Sequence, residues 1–383
     1  MGWREEAMIA YYDTCATTVV DERVAAEVLR LMTEEFGNSG SRTHTYGQDA
    51  LAAVGRARRQ VADVVAADPN EVIFTSGATE ADNMAILGLA PEGERSGRRH
   101  IISSPIEHRA VLEPLGRLRE QGFEIDLVPI DSSGRVDPAE VTRRLRPDTL
   151  LVSVMHGNNE TGVLQPIDEV AAALAGNPVL FHVDAAQTFG KVLEPLRNPR
   201  VDLISVSAHK VFAPKGVGAL IARRRNYKRP PLTPLLVGGG QERGLRPGTA
   251  PVPLIAGFGL GAELAVAEHD TRRKECLRLR TQVLEGLSSL DPFINGDQSA
   301  VLPHVLNLSI PGADAEAVMV AWRDLVAISN GSACTSASYE PSHVLLAMGL
   351  SDEQVRGALR ISWSHFSPAV DWAEAAARVR GLF

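Results

Sequence analysis

An apolar run at residues 201–206 ends in Ser207, His209 and Lys210, ahead of a glycine-spaced turn and a second apolar run at 218–222. A lysine at a buried edge is costly unless it is used. Desolvated among other cations, it gives up its proton readily and becomes a nucleophile toward an aldehyde. Four further runs end in polar clusters. Run 71–75 leads into Ser76, Gly77, Ala78, Thr79 and Glu80, and run 100–106 into Glu107 and His108. Run 150–156 leads to Asn158 and Asn159, and run 179–183 to Asp184 and Gln187. A single strand-end Asp or His is ordinarily a capping or core-satisfying group. Five such clusters need a common reason.

The small residues of "SGATE" leave backbone N–H groups free to wrap an anion where a strand turns into a helix, with Ala78 and Thr79 at its start. Ser207 and His209 add donors for the same anion. Asp184 suits a protonated ring nitrogen. His108 suits a ring face and a proton in transit, and Gln187 and Asn159 suit a ring oxygen and a substrate. Phosphate, ring nitrogen and aldehyde on one molecule describe pyridoxal 5'-phosphate, with Lys210 as its Schiff-base lysine. A metal centre built from His108, His156, His182 and His209 is the weaker alternative. Those histidines fall on separate strand ends, without the tight spacing of a zinc site.

These groups need a sheet to bring them together. Short β-rich runs at 71–77, 100–106, 124–130, 150–156, 179–185, 203–208 and 218–222 alternate with helix-like segments. That alternation predicts a mostly parallel seven-stranded sheet covered on both faces, with ligands at the carboxyl ends of its strands. After residue 255 one or two long helices lead into a smaller α+β block. Residues 15–260 are expected to form the large cofactor-binding domain, and 1–14 with 261–383 the small one.

The chain has 383 residues, 44% hydrophobic and 22% charged, with net charge −8. This is the composition of a globular protein, and it opposes bulk attraction to phosphate backbones, so no direct nucleic-acid binding is expected. Three cysteines do not make a disulfide framework, which favours a reducing, cytoplasmic setting. No apolar run reaches membrane-span length.

The segments "YYDTCATT", "FGNSGSRTH", "FTSGATEADNMAI", "IEHRAVLEP", "HGNNETGVLQPI", "HVDAAQTFGK", "SVSAHKVFAPKGVGAL", "RPGTAPVPLIAGFG", "ISNGSACTSAS" and "ALRISW" resemble, in order, the cysteine desulfurases of the NifS/IscS type. These are class V, fold-type-I pyridoxal phosphate enzymes. The resemblance implies a homodimer that takes sulfur from L-cysteine, releases L-alanine and holds the sulfur as a persulfide. By position it makes Lys210 the Schiff-base lysine, Asp184 the ring-nitrogen partner and His108 the stacking base. Gln187 and Asn159 match ring-oxygen contacts. Ala78, Thr79, Ser207 and His209 match the phosphate cradle, and Thr249 a phosphate contact from the other subunit. Arg360 matches the grip on the substrate carboxylate, with Asn38 nearby.

Cys334, in the Gly- and Ser-rich "SNGSACTSASYEPSH", matches the catalytic cysteine on a long mobile loop suited to handing sulfur to partner proteins. Cys276, in a helical pattern, is read as structural or exposed without function, and Cys15 as a packing residue. Trp363-Ser364-His365 departs from the family pattern. The resemblance leaves the acceptor open among iron–sulfur cluster assembly, tRNA thiolation and DNA phosphorothioation.

Overall fold

The computed structural model describes residues 9–330 and 341–381. Its strands are β1 (Ala10–Tyr11), β2 (Val72–Thr75), β3 (His100–Ser103), β4 (Glu124–Leu127), β5 (Thr149–Ser153), β6 (Leu180–Asp184), β7 (Leu203–Ser207), β8 (Gly218–Ala222), β9 (Phe293–Ile294), β10 (Val305–Ser309), β11 (Val326–Ala327) and β12 (Ala358–Ser362). The helices are α1 (Glu22–Thr33), α2 (Thr45–Val64), α3 (Ala78–Leu87), α4 (Ala90–Ser96), α5 (Arg109–Glu120), α6 (Pro138–Arg144), α7 (Ile167–Ala173), α8 (Val252–Ala267), α9 (His269–Leu287), α10 (Ala315–Trp322), α11 (His343–Ala347), α12 (Asp352–Arg356) and α13 (Trp372–Val379).

The seven runs expected to be strands form one sheet, ordered β2-β8-β7-β6-β5-β3-β4. Only β8 runs against its neighbours, β2 and β7; the other ladders are parallel. The carboxyl ends of β2, β3, β5, β6 and β7 therefore open on one edge. Successive side chains of a strand point to opposite faces. Phe74, Ile102, Val152, Phe181 and Ile204 pack with α1, α2, α7 and α8. Their neighbours Ile73, Ile101, Leu151 and Leu203 pack with α3 and α5 on the other face.

The helical stretch after residue 255 is two helices that break at Glu268. Phe258 and Ala262 of α8 join the sheet core, whereas Cys276, Leu279 and Val283 of α9 join a second core. That second core lies under the antiparallel sheet β12-β10-β9, with α10 and α13. Trp363 is fully buried in it, and its indole N–H donates to the Cys276 carbonyl at 2.8 Å. The tryptophan and Cys276 are thus packing partners. His365 beside it stacks edge-on against Phe212, with ring centres 4.7 Å apart.

Residues 12–18 cross between the cores. The Thr14 N–H donates to Ser362 O (3.1 Å) and its hydroxyl to Trp363 O (2.8 Å). Four residues on, the Thr18 N–H and hydroxyl both donate to His209 O, at 3.1 and 2.9 Å.

Gly218 shows how tightly the sheet grips the first polar cluster. A Cβ there would lie 2.5 Å from Val206 O and 2.7 Å from the Cα of Gly77. Backbone atoms cannot retreat as a flexible side chain would. Gly218→Val is expected to cost about 1–3 kcal/mol, read as a lower urea midpoint at unchanged slope.

Candidate active site

A cavity of about 520 Å³ opens at the carboxyl edge of the sheet. Its lining includes Ala78, Thr79, His108, Asn159, Asp184, Gln187, Ser207, His209 and Lys210, so the structure brings nine of the expected site residues together. One end of the cavity is an anion cradle. Gly77 caps α3 without any side-chain hydrogen bond, so the amides of the first turn carry the positive end of the helix dipole toward the cavity. Ser207 and His209 flank that turn from the end of β7. Burial holds the His209 ring neutral, its pKa lowered to about 4, and its Nδ1 lies 3.1 Å from Thr17 Oγ1.

Lys210 sits in the single 3₁₀ turn after β7. Its ammonium donates to the carbonyls of Cys15 and, at 2.9 Å, Ala16. Cys15 itself is buried against Leu302 and Val305, and its carbonyl also accepts from Gln187 Nε2 at 3.0 Å. The cysteine's contribution at this spot is a backbone oxygen, which no reading of its thiol would have found.

Asp184 ends β6, 6% exposed, with Oδ1 accepting from the Ala186 N–H at 2.8 Å. Burial raises its pKa, and the neighbouring Asp82 carboxyl raises it further. His108 caps α5, its Nδ1 accepting from the Ala110 N–H at 3.1 Å, which leaves Nε2 to carry a proton. Burial lowers the His108 pKa, against the pull of Asp184. His156 and His182 are fully buried, with Nδ1 atoms 2.8 Å from Thr188 Oγ1 and Ser153 Oγ respectively. No cluster of His, Cys, Asp and Glu suited to a metal occurs among the described residues.

Three expected site residues lie outside the cavity lining. Arg360 is buried on β12 behind it, 1% exposed. Its guanidinium donates to Asn159 O (3.1 Å) and to Asp13 Oδ1 (2.7 Å). Asn38 is exposed and turns onto its own loop, Oδ1 accepting from the Gly40 N–H at 2.8 Å. Thr249 is exposed. Cys334 lies outside the described residues.

Sequence reading missed Asp13 and Asp82. Asp13 carries no spacing signal, because its partner is 347 residues away. Asp82 did carry one: it stands among Ala81, Met84, Ala85 and Ile86, the buried positions of α3. A carboxylate among such positions calls for an explanation.

A mostly parallel sheet with a helix start, a lysine and a buried aspartate around a cavity at its carboxyl edge is the arrangement of an α/β enzyme. Comparison with known proteins gives the family. Residues 10–371 match the family described as Aminotransferase class-V. The cysteine desulfurase IscS of Vibrio cholerae serotype O1 is 45% identical over 360 residues, 93% of this chain and 88% of the relative. Among solved structures, DndA from Streptomyces lividans superposes with a TM-score of 0.82 at 53% identity, covering 95% of this chain and 99% of DndA. SspA in complex with cysteine superposes with a TM-score of 0.83 at 34% identity, over 94% and 100% of the two chains. The chain belongs to the class-V aminotransferase family and, within it, to the cysteine desulfurases. No helix among the described residues is long and apolar enough to cross a membrane.

Proposed function

We propose that this cysteine desulfurase holds pyridoxal 5'-phosphate in the 520 Å³ cavity and uses it on L-cysteine, with Lys210, His108 and Cys334 as its catalytic residues. The observation that carries the reading is the cavity's charge pattern. An uncapped helix start, a lysine and a buried carboxylate face one space. The donor set fits the group. The first turn of α3 with Thr79, Ser207 and His209 takes the phosphate. Asp184 takes the protonated ring nitrogen, His108 the ring face, and Gln187, whose Oε1 has no hydrogen-bond partner among the described residues, the ring oxygen with Asn159. When bound, the cofactor supplies an aldehyde for an amine and a ring that draws electrons from the substrate's α-carbon.

The remaining work belongs to the chain. Arg360, held by Asp13 and the Asn159 carbonyl, offers its fork to the substrate carboxylate beside Asn38. Lys210 would hold the cofactor's aldehyde and, once its amine is free, carry the substrate's α-proton. The Cys334 thiolate attacks the substrate sulfur. The S–Cβ bond breaks, its electron pair stays with carbon, and protonation there yields alanine while Cys334 keeps the sulfur as a persulfide. His108 gives or takes the accompanying proton from Nε2.

Purified protein loaded with the cofactor and given L-cysteine together with a thiol reductant, which reduces the Cys334 persulfide and frees its outer sulfur, is expected to release alanine and sulfide in equal amounts. Release of a keto acid instead would point to transamination and overturn the reading. Arg360→Lys is expected to raise KM for cysteine by about tenfold or more with a smaller change in kcat, because an ammonium cannot serve Asp13 and a substrate carboxylate as a planar fork does. A steady-state titration checks the split.

The working unit is a homodimer in which Thr249 of one protomer completes the phosphate site of the other. Val237 is 94% exposed and Leu236 54% on the segment that leads to Thr249, an apolar surface suited to a second copy. Sedimentation at working concentration tests this. The persulfide sulfur passes to an acceptor protein of iron–sulfur cluster assembly, tRNA thiolation or DNA phosphorothioation. Capture of partners after loading with labelled cysteine sulfur identifies which.

A further inference from the structure

Asp82 stands on α3, 1% exposed, and lines the cofactor cavity. Neither of its carboxylate oxygens has a partner of good hydrogen-bond geometry among the described residues, although Ser205 faces them closely enough to affect the carboxyl. The nearest charged-group contact is His182 Nε2 at 3.5 Å. His182 is itself fully buried, with Nε2 at 2.9 Å from Ser205 Oγ and Nδ1 at 2.8 Å from Ser153 Oγ. The groups facing Asp82 are Ser205 on β7, His182 and Asp184 on β6, and Glu107 on the 104–108 turn. None is a cation at neutral pH, since burial lowers the His182 pKa to about 4.

We propose that Asp82 is a positioning residue of the reaction: a neutral carboxyl at the head of the chain Asp82–Ser205–His182–Ser153, which leaves Asp184 as the ionised carboxylate of the cavity. The inference rests on the cofactor reading above for its role, though not for its chemistry.

The reasoning starts from desolvation. An ionised carboxylate with no cation and no donor deep in a protein is strongly disfavoured, and the group keeps its proton instead. Burial pushes Asp82 up to about 8, and Glu107 likewise to about 8, with Ser104 and the Met155 N–H on its Oε1. Asp82 and Asp184 also raise one another's cost of ionisation, because like charges in a dry site cannot both form. A second negative charge on Asp82 would drive a proton onto Asp184 and remove the group that keeps the ring nitrogen charged. A neutral Asp82 avoids this and supplies a proton to a cluster otherwise short of donors. Its O–H donates toward Ser205 Oγ, the Ser205 O–H to His182 Nε2, and His182 Nδ1–H to Ser153 Oγ.

That direction is the testable signature. An ionised Asp82 would reverse the chain and place the His182 proton on Nε2. Nitrogen NMR of the wild-type apoprotein at neutral pH is expected to show His182 with its proton on Nδ1; a proton on Nε2 overturns the proposal, and this measurement needs no variant. The infrared band of a protonated buried carboxyl is expected to disappear in Asp82→Asn; a band unchanged in that variant overturns the assignment. In the unfolded chain Asp82 ionises near its ordinary value, so the part of the apoprotein's stability that Asp82 contributes is lost as pH rises toward the folded value. Asp82→Asn is expected to shallow that slope by one proton between about pH 5 and 7. With cofactor loaded, the alkaline transition of the cofactor's absorbance is expected to shift in pH in Asp82→Asn, and a transition at the unchanged wild-type pH sinks the positioning role. A wild-type protein that takes up no cofactor would refute the cofactor reading, while the apoprotein measurements still decide the protonation of Asp82.

Discussion

Lys210→Ala is expected to abolish covalent attachment of the cofactor and to lower kcat by at least about 10⁴-fold, the upper range for removing a positioned proton carrier. The measurement is borohydride trapping followed by peptide mapping. Wild-type protein should carry the reduced adduct on the peptide containing Lys210, and an adduct on any other lysine would remove Lys210 from the role. The fold should survive the change. Lys210 donates to two carbonyls at the rim of the cavity, those of Cys15 and Ala16, and water can take over both once the side chain is gone. A loss of thermal stability large enough to explain the lost activity would argue that the lysine is structural.

The second large effect is expected at Cys334. Cys334→Ser should bind the cofactor with unchanged absorbance, yet fail to form a persulfide. Alanine release is expected to fall by about 10³-fold or more, a barrier increase of roughly 4 kcal/mol. A hydroxyl at that position is a far weaker nucleophile toward sulfur than a thiolate. The other two thiols offer no rescue. Cys15 is buried against Leu302 and Val305, and Cys276 lies in the second core with its thiol pushed up to about 11 by burial. A Cys334→Ser protein that desulfurates cysteine at the wild-type rate would show that the nucleophile has been misassigned.

The buried groups also set the pH response of the apoprotein. Asp82, Glu107 and Asp184 are held above their ordinary pKa values by burial, so they favour the folded state at low pH and that contribution is lost as pH rises through their folded values. His156 and His182 are held below theirs, at about 3 and about 4, so their contribution is present above about pH 6.5 and is lost as pH falls toward those values. Apoprotein stability is therefore expected to peak on the mildly acidic side of neutrality, as urea titrations across pH would show. A stability that climbed steadily to pH 9 would contradict the burial of the three acids.

The sheet was readable because each of its runs is short, apolar and bounded by turn residues. The direction of β8 was also available, though periodicity does not carry it. Ten residues separate Ser207 from Gly218, too few for a crossover helix, so the strand had to return antiparallel. The meeting of these polar groups in one cavity was legible because five strand ends carried groups of complementary chemistry. What stayed hidden depends on contacts between distant parts of the chain. Asp13 reaches Arg360, the Cys15 carbonyl reaches Lys210, and Asp82 meets His182 across two elements. Backbone oxygens leave no trace in residue type, and a pair 347 residues apart leaves none in spacing.

The crossing segment at residues 12–18 ties the two cores through unlike anchors. Toward the small core it is fastened by Thr14 and Cys15 to Ser362 and Trp363, contacts that chemistry in the cavity does not touch. Toward the sheet it is fastened by Thr18 to His209 and by Cys15 and Ala16 to the amine of Lys210. One moorage of this strap is therefore the amine proposed to hold the cofactor. Engaging that amine is expected to free the strap at Cys15 and Ala16 alone, while Thr18 stays on His209 and Thr14 on Ser362 and Trp363.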